Sequence, residues 1–155
     1  MANGVFNIAK GRVNELVDRV DSGDPAASRL QVKLLQVAEA DATLQDYDTF
    51  SALLGGSNTE ATFTNYATKT LAAADLSRTT DDTGNTQYST VDNDQTWTSA
   101  GGATNNTLVK LVICYDPLGT DVDTNLIPLT HHDFSATTDG NDLIADFQAS
   151  FFTAS

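Results

Sequence analysis

From residue 60 to its last residue the chain is a series of short β-type blocks. The clearest read TNYATKTL (64–71), DQTWT (94–98), TLVKLVICYDP (107–117), NLIPLTHHDF (125–134) and DLIADFQASFF (142–152). Thr, Asn, Asp and Gly separate them. β-branched and aromatic residues between turn formers fit a pleated, half-buried surface better than a long helix. Strands at this spacing predict a sandwich or barrel-like body. No catalytic motif is attached to any block, which points to a protein whose surface is its function.

A chain of 155 residues makes one domain, or one domain with an arm, and buries a sizeable core without disulfides or metals. The expected division is an N-terminal arm or helix over 1–25 and a β-rich body over 26–155, with one helix near 42–54. The fold class is therefore mainly β with an α-helical N-terminal portion. The net charge of −13 argues against a nucleic-acid or anionic-membrane partner, since both need clustered Lys and Arg. The charge is uneven. Residues 1–38 carry five basic and four acidic groups, and the rest carries three basic and seventeen acidic ones. Within the near-neutral beginning, Val5, Phe6 and Ile8 stand beside Lys10 and Arg12, the mix of apolar anchor and cation found at interface hot spots. The expectation is an arm that orders on a partner. No apolar run approaches membrane-spanning length, and MANGVFNIAKGRV has no apolar core of a signal peptide.

Residues 1–20 read as a helix, with Ile8, Val13, Leu16, Val17 and Val20 at roughly three- and four-residue steps, a pattern weakened by Gly4 and Gly11. An extended arm leading into a helix from about residue 10 fits equally well. DSGDP (21–25) is a turn. Residues 29–37 alternate Leu30, Val32 and Leu34 against Arg29, Gln31 and Lys33, the pattern of a half-buried strand. Residues 39–56 read as one helix with a stripe of Leu44, Tyr47, Phe50, Leu53 and Leu54, stopped by Gly55-Gly56. SRTTDDTGNT (77–86) reads as a polar hairpin loop. Residues 107–115 form the most apolar run and a central strand. Pro128 inside the next strand predicts an edge or a bulge. Leu30, Val32, Leu34, Leu53, Trp97, Leu111, Ile113, Leu129 and Phe147 are expected in one core.

Few residues offer chemistry. Cys114 sits in LVICY as a small buried hydrophobe. His131 and His132 are adjacent on a strand, so they diverge to opposite faces and do not easily share an ion. Asp121-Val122-Asp123-Thr124-Asn125 begins like a calcium loop, but Leu126 replaces its glycine and His132 its bidentate Glu, leaving a solvated acidic loop. Asp81/Asp82 and Asp92/Asp94 lie in turns, where Asp serves backbone hydrogen bonding. These patterns predict no catalytic residue, no metal site and no cofactor.

At several of these segments the chain resembles virion structural proteins of tailed bacteriophages. NIAKGRV (7–13), EADATLQDYDTFSALL (39–54), TNYATKTL, DQTWT, KLVICYDP (110–117), IPLTHHDF (127–134) and TTDGNDL (137–143) carry the resemblance, which spans most of the chain. DQTWT and the strand ending in YDP are its most distinctive parts. The resemblance implies a small non-enzymatic structural protein of the capsid decoration, cement or minor structural type. Its implied partners are the major capsid protein and itself, as a homotrimer or a dimer. Its implied place is the capsid surface of the virion, after synthesis in the host cytoplasm. The alternative is a tail or adsorption component that binds glycans through Tyr88, Trp97 and Tyr115.

Overall fold

The computed structural model describes residues 3–147 and 150–154. In chain order, β1 (Asn3–Val5) and a 3-10 turn (Asn7–Ala9) lead into α1 (Val13–Ser22) and β2 (Arg29–Val37). Two short helices follow, α2 (Asp41–Leu44) and α3 (Phe50–Gly55), then β3 (Thr59–Glu60) and β4 (Lys69–Leu71). A 3-10 turn (Ala73–Asp75) opens β5 (Leu76–Asp81), which pairs with β6 (Thr86–Val91); β7 (Gln95–Trp97), β8 (Thr107–Asp116), β9 (Ile127–Thr137), β10 (Leu143–Ala145) and β11 (Phe152–Ala154) complete the chain. Strand occupies 39% and helix 17%, so the molecule is mainly β.

The main sheet runs β1-β9-β8-β2-β3, with β4 beside β3 on the outer edge of β2. Every pairing in it is antiparallel. The larger cluster of buried residues covers one face. Leu30, Val32 and Leu34 of β2 and Leu111 and Ile113 of β8 meet α1, Leu76 and Val91 of the β5–β6 hairpin, Trp97 of β7 and Ala145 of β10. The smaller cluster covers the other face, where Leu35, Val112 and Cys114 meet Phe6, Leu44, Phe50, Leu53 and Leu126. The expected sandwich or barrel thus takes another form. One long sheet is covered on one side by a helix, a three-stranded sheet (β11-β6-β5) and a two-stranded ribbon (β10-β7), and on the other by short helices and loop.

This double cover explains most differences from the sequence-based reading. All nine expected core residues are buried, but Leu53 lies in the smaller cluster, so there are two cores. β2 is buried on both faces from Leu30 to Leu35, including Gln31 and Lys33. Its period-two pattern marks two different buried environments, one apolar and one mixed. β8 is central, as its apolar run predicts. Pro128 sits at a bulge: Ile113 faces Thr130 while Cys114 faces Pro128, leaving Leu129 extra.

The predicted helix over 39–56 is two helices. Thr49 breaks it, because its Oγ1 accepts the Ala52 N–H at 3.1 Å and starts α3 afresh. The turn between them lets Tyr47 Oη donate to Glu39 at 2.8 Å and the Phe50 N–H bond to the Leu126 carbonyl at 3.0 Å. The expected loop over 77–86 is mostly hairpin strand, with the turn confined to residues 82–85.

The N-terminal segment shows the largest difference. Residues 3–22 share both clusters with the body, so the expected 1–25 arm is not a separate part over the described residues. Val5 pairs with Thr130, and the Phe6 N–H bonds to the Leu129 carbonyl at 3.0 Å. Gly4 is required here, because a Cβ would run into the His131 ring and the Gln45 amide. The helix itself spans only α1, whose Val13, Leu16, Val17 and Val20 are buried at helical spacing. Gly23, left-handed at φ 67°, ends it.

Phe6 is fully buried and meets His131 edge-on at 5.6 Å. Phe6→Ala is expected to destabilise the fold by about 3–5 kcal/mol, and deletion of residues 2–12 to prevent stable folding altogether. Chemical denaturation followed by circular dichroism measures both. A truncated protein with unchanged stability would mean that this segment is not part of the core.

Candidate functional site

The segment after β8 shows how buried polar groups build a surface. Asp116 is fully buried. Its carboxylate accepts backbone N–H groups from Leu118 at 3.1 Å, Gly119 at 2.8 Å and Asp121 at 2.8 Å, and the Gln31 side-chain amide at 3.2 Å. Burial alone would raise its pKa; these donors outweigh it and hold the carboxyl below the usual range. The Arg29 guanidinium donates to the Gly119 carbonyl. The loop is thereby wound around one carboxylate. It is also seated on α3, where Ser51 N–H bonds to the Asp123 carbonyl at 3.0 Å. Leu118 and Val122 are left pointing outward, 55% and 45% exposed.

The acidic side chains of this loop turn inward. Lys33 Nζ lies 2.8 Å from Asp121 Oδ1, 3.5 Å from Asp123 Oδ1 and 3.7 Å from Glu60 Oε1, over the Phe50 ring. The expected solvated acidic loop is therefore an ion-paired one, in which an ammonium occupies the centre of the carboxylates. Burial pushes the Lys33 pKa down, but the hydrogen bond to Asp121 and the charge of Glu60 outweigh it and raise it. Burial raises Glu60. A second inward lysine, Lys110 of β8, lies 2.7 Å from Asp41 and also pairs with Asp133. Arg12 and Arg19 share Glu15, and Arg78 pairs with Asp18. Six of the eight basic groups are thus committed within the protein, five to carboxylates and Arg29 to a carbonyl, and the outward field is acidic.

The residues singled out from the sequence fall differently. Of the docking set, Phe6 is fully buried, Val5 and Ile8 are half-buried against the core, and Lys10 and Arg12 are exposed. Phe6 is not available as an anchor for a partner. Of the glycan set, Trp97 is 1% exposed with its indole N–H bonded to the Ala67 carbonyl at 2.7 Å, and Tyr115 is 3% exposed. Neither can stack on a sugar ring; Tyr88 is half-buried and lies on β6, away from both sheets that carry them. His131 and His132 do diverge. His131 Nε2 meets the Gln45 amide at 3.0 Å on the α2 side, and His132 Nε2 meets Thr130 Oγ1 at 3.0 Å. Asp81 accepts the N–H groups of Thr83 and Gly84, and Asp94 that of Phe147, so these acids serve the backbone as turn residues do. Cys114 is fully buried, which pushes its thiol pKa up and makes it unreactive. Among the described residues no three His, Cys, Asp or Glu side chains are arranged to hold a metal ion, and no helix is long and apolar enough to cross a membrane.

Lys33, Lys110 and Asp116 escaped the sequence reading. The available signal was a single Lys inside an apolar run, as in LQVKLLQV and TLVKLVICYD. A lysine there must be either at an edge or enclosed with its own counter-charges. No family model, no curated protein and no solved structure matches the chain.

Burial drives the His132 imidazole from an ordinary 6.5 to about 4, and neighbouring His131 adds to the shift. Its folded form is neutral. Between these values the unfolded chain takes up a proton that the folded chain refuses, so stability falls as pH falls through the window. Glu60 acts in the opposite sense, since its raised pKa lets the folded state hold a proton first. The loss expected from His132 alone between about pH 7 and pH 4 is ~3 kcal/mol. His132→Asn should flatten the dependence in denaturant titrations at each pH; an unchanged slope would assign it to other groups.

Proposed function

We propose that the protein is a non-enzymatic virion structural protein of tailed-bacteriophage type, which decorates and stabilises the capsid by binding major capsid protein subunits. The resemblance of its segments to such proteins suggests the class. The structural observation that carries the reading is the partition of charge. Lys33 and Lys110 are enclosed among carboxylates, Arg12, Arg19 and Arg78 are paired with acids at the surface, and a loop braced by buried Asp116 and Lys33 presents Leu118 and Val122. A braced loop loses little conformational freedom on docking, which favours a contact repeated over a lattice. The N-terminal segment, being part of the core, is replaced in this reading by the 116–126 loop as the principal contact. Self-association as a closed homotrimer, with a dimer as the alternative, would let one small subunit repeat the same contact around a local symmetry axis.

The test is binding of purified protein to shells assembled from the major capsid protein. Leu118→Asp with Val122→Asp should leave melting unchanged, because both side chains are exposed. The double variant should lower occupancy of the shells by about tenfold or more. Equal occupancy would move the contact elsewhere on the surface. Band quantitation of purified particles separates the alternative: lattice-scale copy number means capsid decoration, and a few copies mean a tail component.

A further inference from the structure

Lys33 has more counter-charge than an ion pair needs. Its side chain is 5% exposed, and three carboxylates, those of Asp121, Asp123 and Glu60, converge on one ammonium. Two of them are held in place by other groups. Asp121 sits at φ 51°, a left-handed conformation that is costly for a residue with a Cβ, and its N–H is tied to Asp116 at 2.8 Å. Backbone strain of this kind persists where the surroundings impose it, and it clusters at functional positions. Glu60 is fixed by the Tyr66 hydroxyl, which donates to its Oε1 at 2.7 Å. Tyr66 also accepts the Leu34 N–H at 3.1 Å, locking it to the strand that carries Lys33. The ring of Phe50 lies 5.3 Å from the ammonium.

We propose that Lys33 and Asp121 condense to an intramolecular isopeptide bond, with Glu60 carrying the protons. Lys33 Nζ gives a proton to Glu60, and the neutral amine forms a bond to Asp121 Cγ. The tetrahedral carbon then expels one carboxyl oxygen as its C–O bond breaks. That oxygen leaves as water with two of the three ammonium protons, delivered through Glu60, which ends in the state in which it began. An ammonium and a carboxylate become one amide and one water, so no oxidant, reductant or co-reactant is consumed.

Three physical features favour the reaction. The 2.8 Å contact from Lys33 Nζ to Asp121 Oδ1 holds the amine beside the carboxyl group whose Cγ it attacks. Burial raises the Glu60 pKa, so its carboxyl is suited to hold a proton in transit. Condensation also replaces two partly desolvated charges by a neutral amide, removing the cost of keeping them from water. The carboxylates keep the lysine charged at the outset, which makes the first proton transfer the slow step. Lys110 sits on the neighbouring strand between Asp41 and Asp133, and in this scheme it remains an ion pair.

Intact-mass measurement of the purified, folded full chain tests this directly. The expected mass is lower than the sequence mass by one water, and a proteolytic digest should contain one branched peptide joining Lys33 to Asp121. Glu60→Gln and Asp121→Ala should each restore the full sequence mass, with circular dichroism checking that both fold. The full mass in the wild-type protein, after prolonged incubation under folding conditions, overturns the proposal. A lost water that maps instead to an Asp139-Gly140 succinimide or to Lys110 overturns it equally. The digest of the wild-type chain decides the matter even where a variant fails to fold.

Discussion

The pairing of β2 with β8 is the constraint on which the rest depends. Seven rungs, from Arg29–Asp116 to Leu35–Lys110, join them. Both strands are buried on both faces for most of that length. A doubly buried strand has no water-facing side for its polar residues, so each must find a partner inside. Gln31 finds Asp116 and Thr70, Lys33 finds Asp121, Asp123 and Glu60, and Lys110 finds Asp41 and Asp133. These demands fix the 116–126 loop, the start of α2 and the position of β3. The apolar side of the same strands fixes α1 and the smaller sheets. The interior thus takes two of the lysines, Lys33 and Lys110, each with its own carboxylates.

Much of this was legible in the residues. The apolar run at 107–115 gave the central strand because nothing polar competes there except Lys110. Pro128 announced its bulge, since a residue without an N–H cannot continue a regular ladder. Other elements were misread for identifiable reasons. Alternation in 29–37 reports two different environments, and a half-buried strand produces the same pattern; only the cover by α2 and α3 separates the cases. The stripe in 39–56 is helical in period, yet Thr49 caps more favourably than it continues. Phe6 has the composition of an exposed anchor, and its burial depends on the smaller core and on His131, more than a hundred residues away.

The candidate surface was less legible than the fold. Tyr88, Trp97 and Tyr115 share a residue type favoured for sugars, but Trp97 and Tyr115 are spent on the interior. The Asp121–Asn125 stretch lacks the Gly and the Glu of a calcium loop, and it reads locally as a solvated acidic loop. Its inward turn toward Lys33 could not be read, because an ion pair spanning 88 positions leaves no local pattern. Long-range charge pairs become visible only when topology brings their elements together, whereas periodicity and turn chemistry are written into neighbouring residues.

The wiring of the main sheet also bears on when the protein can form at all. β2 lies in the first quarter of the chain and its long partner β8 begins at Thr107; β1 waits for Thr130 to His132 of β9. A ribosome therefore makes the whole stretch from Val37 to Thr107 before the first long ladder can close. Until then β2 has no strand to pair with except the short β3 and β4. Such non-local pairing slows folding and leaves apolar segments uncovered in nascent chains. Closure of the native sheet thus waits on segments made long after β2, and the yield of finished molecules depends on keeping unfinished ones apart.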